Sequence, residues 1–293
     1  MTCSAVSAVD ERLAGTAAQV TGWVCLEYPG GWGRDILDGT ALGAELADEL
    51  RVRADAAGVR LMFIRRPGRS VLTGGDPGRP AYTVLLAQSH PGRSWCERLE
   101  VDEPAGLLDL DFGAVAGEAP GMGRPVENPV VLVCAHGKRD QCCAVFGRPI
   151  AAALASEFGD DVWECSHTGG HRFAPSMILL PSGYTYGRLG AAASITAVRA
   201  VRDGSVERTG LRGRSVWDAR GQVAEMAVRD RVSVGTNELS VEGDTVVHVD
   251  GRRWSVEIEK TELPPRPASC GAVSKPVKPL IARDVRELRQ PYQ

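Results

Sequence analysis

The chain has 293 residues, of which 43% are apolar and 24% charged, and its net charge is -3. These proportions belong to a folded globular protein long enough for two domains, or for one with a substantial appendage, and they exclude a disordered chain. No apolar run is long enough to cross a bilayer and no basic excess invites nucleic acid, so neither is expected as a partner.

The amino terminus, MTCSAVSAVDERLAG, has early acidic residues and no apolar core, so it does not read as an export signal and a cytoplasmic, reducing setting is expected. An apolar strand over about residues 20–27 leads into the glycine-rich turn PGGWGRD, then a helical pattern over 41–57 and the strand LMFIRR. Two more extended runs, AYTVLLAQ and residues 95–101, complete a strand-helix-strand-strand-strand order. Residues 113–127, rich in Gly and Pro, read as a linker.

After it the order returns. Strand VVLVC, loop AHGKRDQC, a helix over about 143–158, strand DVWEC, loop SHTGGHRF, two strands meeting at Ser182-Gly183 and a helix over about 191–201 follow in turn. This is the element order of a thioredoxin-like domain, and the turn in each half ends in Arg-Asp: Arg34-Asp35 and Arg139-Asp140. The remainder reads as a helix over about 215–229 and a hairpin turning at Asp250-Gly251. A tail broken by Pro264, Pro265 and Pro267 then packs as a strap, with no chemistry evident in it. The expected fold class is therefore α/β, with tandem thioredoxin-like domains over 1–120 and 121–205 and a small α+β extension over 206–293.

Eight cysteines are many for a reducing compartment, and four of them crowd between positions 134 and 165. There a thiol cluster is more often a metal or redox site than a set of bridges. Cys134 ends a strand and Cys143 opens the next helix, while His167 and His171 sit in the loop after the following strand. Ends of adjacent parallel strands lie side by side, so both loops open at one sheet edge and the four donors can converge on a metal. Gly169 and Gly170, between the histidines, permit positive φ and let the backbone curl tightly, with amides free to face negative charge. Two Cys and two His also suit a structural zinc, and adjacent Cys142 and Cys143 allow a thiol-disulfide enzyme, although the Cys-x-x-Cys spacing is missing.

The segments CAHGKRDQCC and HTGGHRFA, together with LAGTA and EYPGGWGRD nearer the amino terminus, resemble the sucrase/ferredoxin-like proteins, relatives of the thioredoxin-like ferredoxins. The matching residues are Cys134, His136, Gly137, Arg139, Asp140, Cys143, His167, Gly169, Gly170 and His171, over about the first two-thirds of the chain. The resemblance implies a [2Fe-2S] cluster in the second domain, with Cys134 and Cys143 on one iron and His167 and His171 on the other. It further implies an electron carrier, rather than a stand-alone enzyme, that serves an unidentified redox partner protein. Neutral imidazoles in place of two thiolates leave such a cluster less negative, which moves its potential from about -400 mV toward the range of roughly -150 to +300 mV.

Cys142 is an alternative to Cys143 as ligand, and Cys165 is expected to be a buried small hydrophobe. His136 reads as a loop residue beside the centre, Arg139 and Asp140 as an ion pair fixing the loop, and Arg172 and Phe173 as its rim. Pro175 falls where thioredoxin-like folds place a cis proline. His90 and His248 read as structural, and Cys3, Cys25, Cys96 and Cys270 as isolated, inert thiols. The family name invites a glycosidase reading, but no carboxylate pair is recognisable.

Overall fold

The computed structural model describes residues 1–68 and 81–289. After a short helix α1 (Cys3–Ala8) come β1 (Gly22–Glu27), α2 (Ala44–Ala57), β2 (Val59–Arg65), β3 (Tyr82–Gln88) and β4 (Trp95–Val101). The two-residue β5 (Arg124–Pro125) precedes β6 (Val130–Cys134), α3 (Gln141–Phe158), β7 (Val162–Cys165), β8 (Ser176–Leu180), β9 (Tyr184–Gly187), α4 (Ala191–Arg202) and β10 (Leu211–Arg214). Every position of β1, β6, β7, β8 and β9 is buried, as in strands covered on both faces.

These ten strands form one sheet in the order β10-β9-β8-β6-β7-β2-β1-β3-β4-β5. The halves share one plan. β1 pairs parallel with β2 and antiparallel with β3, which pairs antiparallel with β4; β6, β7, β8 and β9 repeat those relations. The halves meet where β2 and β7 run antiparallel, paired only at Ile64 with Cys165 and Arg65 with Glu164. Both strands contribute their carboxyl ends to this seam, so the loops leaving β1 and β6 are brought toward each other. One core cluster crosses the seam, containing Trp23, Cys25, Met62 and Ile64 together with Leu132, Cys134, Trp163 and Cys165. The other face is packed separately, around Leu50 and Phe63 in the first half and Leu154 and Val198 in the second.

The stretch expected to be a linker is partly built into the body. Val115 is buried in the core of the first half, and Arg124 and Pro125 pair with β4. Alternation is weak there because short 3-10 turns, not a regular element, present these side chains.

Beyond β10, α5 (Ala219–Arg229) is capped by Asp218, whose carboxylate accepts from the Gly221 amide, so the helix begins four residues later than the helical pattern. β11 (Leu239–Glu242), β12 (Thr245–His248), β13 (Arg253–Lys260) and β16 (Leu280–Leu288) form a four-stranded sheet, with Gly251 at φ 92° in the expected hairpin turn. β14 (Leu263–Pro267) and β15 (Ser274–Val277) make a separate ribbon from the proline-rich tail.

Candidate metal centre

Cys134 ends β6, and the loop after it leads into the first turn of α3, which holds Cys143. Asp140 is the helix cap, its Oδ1 accepting from the Cys142 amide at 2.8 Å, so α3 begins at Gln141, two residues before the apolar pattern suggests. Gly147 fits this turn against the strand end, since a Cβ there would lie 2.0 Å from the Cys134 carbonyl oxygen.

The loop after β7 brings the imidazoles. Donor atoms of Cys134, Cys143 and His167 all lie within 4.8 Å of one another. His171 stands outside that trio, but its Nδ1 is 3.7 Å from Cys143 Sγ. The rings of His167 and His171 stack with centroids 3.9 Å apart and planes 14° from parallel. The structure thus brings together all four residues that the sequence singled out.

Gly169 and Gly170 have φ of 91° and 72°, the left-handed region anticipated for this loop. Gly170 is also enclosed: a Cβ would meet Arg212 Nη2 at 2.6 Å and Phe173 Cδ2 at 2.7 Å. The Ala174-Pro175 peptide directly before β8 is cis.

Two arginines, not evident from the sequence, hold the loop by its carbonyls. Arg60 of β2 donates to the His167 carbonyl at 2.6 Å. Arg212 of β10, fully buried, donates to the Gly169 carbonyl at 3.0 Å and Ser176 Oγ at 2.8 Å, and also to the Thr16 carbonyl. Burial draws the Arg212 guanidinium down to about 9, with neighbouring Arg172 acting in the same direction and Cys134 against them.

Cys134 is held well below the ordinary thiol range by its hydrogen bond with Cys143, and then, against burial, by His167 beside it. Cys143 is pushed up by the same bond and by burial. His171 is drawn down to about 4, first by burial and then by its neighbour His167, so its imidazole is neutral near pH 7 as a metal ligand must be. A thiol held low beside the neutral imidazole of His171 makes a donor set for a soft or borderline metal.

His136 is buried beside the centre. Its Nε2 donates to the Gly33 carbonyl at 2.7 Å, its Nδ1 lacks a hydrogen-bond partner, and its ring meets the edge of Trp32 at 5.6 Å. The turn PGGWGRD of the first half therefore forms part of the wall around a centre in the second. Alongside opens a cleft of about 360 Å³ into which Arg34, Arg51, Arg60 and Arg139 contribute, with His136 and His167 at its floor.

Several expectations are corrected. Asp140 does not use its carboxylate on Arg139; it caps α3 and accepts from the Cys270 amide at 2.8 Å. Cys142 faces away from the histidines. Its Sγ lies 3.7 Å from that of Cys3 and 3.3 Å from that of Cys270, so these two thiols are not isolated and the tail does supply a thiol to a cluster. Cys25, Cys96 and Cys165 are buried in the core across the seam, and burial raises each thiol.

A family model described as sucrase/ferredoxin-like matches residues 13–213. No curated protein and no solved structure matches the chain significantly.

Proposed function

The chain belongs to the sucrase/ferredoxin-like family, and from that premise we propose that Cys134, Cys143, His167 and His171 hold a [2Fe-2S] cluster with which it carries single electrons to a redox partner protein. The observation that carries the reading is the pairing of donors. Two thiols lie together and two imidazoles lie together, the two pairs joined by the 3.7 Å approach of Cys143 to His171. A single tetrahedral ion, with bonds of about 2.0 to 2.3 Å, needs every donor within about 4 Å of the others. The donors of Cys134, Cys143 and His167 lie within 4.8 Å of one another while His171 stands outside that trio, an arrangement that suits a group with two irons. The cluster would supply a one-electron couple; the chain supplies ligands, loop carbonyls fixed by Arg60 and Arg212, and positive charge against the thiolates.

We read the two halves as tandem thioredoxin-like domains over 1–120 and 121–205, supported by their common strand order, with 206–293 as an extension. All eight cysteines are unpaired, which supports a reducing, cytoplasmic setting. No helix among the described residues is long and apolar enough to cross a membrane.

A second reading rests on the same trio: one zinc held by Cys134, Cys143 and His167, with His171 or water completing the tetrahedron. Anaerobic purification separates the two. The cluster predicts a coloured protein with iron and acid-labile sulfide at about two each per chain, and a paramagnetic signal after dithionite reduction. A colourless chain containing zinc and no sulfide after reconstitution would reject the leading reading. A thiol-disulfide activity is not favoured, because Cys142 and Cys143 point their sulfurs at different partners.

A further inference from the structure

We propose that Cys3, Cys142, Cys270 and Asp140 form a second metal site, closed and structural, that takes Zn²⁺. The four come from three places far apart in the chain: the start of α1, the first turn of α3 with its cap, and the turn between β14 and β15. Their donor atoms nevertheless lie within 4.8 Å of one another. The three sulfur separations are 3.7, 3.3 and 3.6 Å, and Cys3 Sγ is 3.8 Å from Asp140 Oδ2. Sulfurs at the corners of a zinc tetrahedron, with bonds of about 2.3 Å, stand about 3.8 Å apart. The observed triangle is that of a tetrahedral face, with the carboxylate oxygen at the fourth corner.

Two further features favour a cation over the alternatives. A disulfide uses two sulfurs, whereas three converge here, and Cys3, Cys142 and Asp140 are each at most 5% exposed. A carboxylate oxygen beside three thiol sulfurs is a mixed oxygen and sulfur donor set of the kind zinc accepts. Capping of α3 explains Oδ1 but not the position of Oδ2 beside Cys3 and the Cys270 amide. Three thiolates and a carboxylate suit zinc better than cuprous copper, which prefers soft donors alone. Uptake would release the thiol protons to solvent, with no change of oxidation state.

With four protein ligands the site has no open position, so its role is to fasten. It would tie α1 and the turn between β14 and β15 to the first turn of α3, one residue from Cys143. The amino-terminal segment is already joined to the other loop of the first centre, because Glu11 accepts from Arg172 at 2.8 Å. This assignment is independent of what the Cys134 centre holds.

The full-length chain carrying Cys134→Ser and His171→Ala, which disable the first centre, is stripped under reductant and titrated with Zn²⁺ against a coloured chelator. About one zinc per chain is expected, falling at least tenfold when Cys3→Ser and Cys270→Ser are added. Zinc-edge X-ray absorption of the unmutated protein needs no variant to fold and should give three sulfur neighbours and one oxygen. Zinc binding indifferent to Cys3 and Cys270, a two-sulfur, two-nitrogen environment, or a Cys142–Cys270 disulfide in freshly purified zinc-free chain overturns the site. Iron and sulfide measured on the same sample report on the Cys134 centre separately, so either assignment can fail while the other stands.

Discussion

Cys142 and Cys143 are neighbours in sequence, yet their sulfurs serve different groups: Cys143 Sγ lies 3.7 Å from His171 Nδ1, and Cys142 Sγ 3.3 Å from Cys270 Sγ. One turn of α3 thus stands between two sets of soft donors, and substitution at the two positions should have different spectroscopic results. Cys143→Ser is expected to remove most of the iron, the sulfide and the visible absorption. Cys142→Ser should keep the band positions of the parent protein. Equal bleaching by both serines, or a shifted spectrum from Cys142→Ser, would mean that the ligand has been misassigned.

Replacing His167 or His171 by Cys adds negative charge to the cluster and should lower its midpoint potential by on the order of a hundred millivolts or more, toward all-Cys values. Potentiometric titration followed by electron paramagnetic resonance checks this. An unchanged potential in both variants would remove the histidines from the ligand set.

Gly170→Ala should be costly for two separate reasons. At φ 72° an L side chain is strained by about 1–2 kcal/mol, and its Cβ would also press on Arg212 and Phe173. A loss of about 2–3 kcal/mol in denaturant unfolding is expected, along with reduced iron retention. Gly190→Ala, where a Cβ would have nothing within 4 Å, is the control and should change little.

Arg212→Met removes donors to the Gly169 carbonyl, the Thr16 carbonyl and Ser176 Oγ from a fully buried position. Leaving those acceptors unsatisfied should cost about 3 kcal/mol, and loss of the nearby positive charge should lower the potential of the centre. Arg212→Lys keeps the charge and should restore the potential more than the stability. Parallel changes in both readouts across the two variants would make the residue purely structural.

Far from the centre, Asp250 is drawn down to about 2, first by the Arg252 amide it accepts from and then by His248 and Arg252 side chains. A carboxylate with a lowered folded-state value stabilises at pH above its ordinary 3.8 and loses that contribution as pH falls through 3.8 to about 2. The β12–β13 hairpin should therefore weaken only in that acid window, and Asp250→Asn should flatten this part of the stability profile. Hydrogen exchange of the Arg252 and Thr245 amides over pH 2 to 5 provides the measurement.

The grouping of Cys134, Cys143, His167 and His171 could be read because they sit in two short local motifs, each following a buried strand. The Cys3, Cys142 and Cys270 group could not. Its members are separated by up to 267 residues, and no spacing rule links a terminal helix to a proline-rich ribbon. Arg212 escaped for another reason: LRGR resembles an exposed edge strand, and only the converging carbonyls of Gly169 and Thr16 show why a guanidinium is tolerated inside. The repeated strand order could be read from element succession, whereas the antiparallel seam between β2 and β7 rests on two residue pairs and leaves no trace in composition.

That seam has a consequence for the half of the chain without ligands. Because β2 and β7 overlap only at their carboxyl ends, the turn that corresponds to the ligand loop lies over it, with the Gly33 carbonyl bound to His136 and Trp32 against the same ring. The first half is thereby the roof of the chamber. Changes at Trp32 or Gly33 would reach the second half through the His136 ring they hold, although that turn supplies none of the four donors.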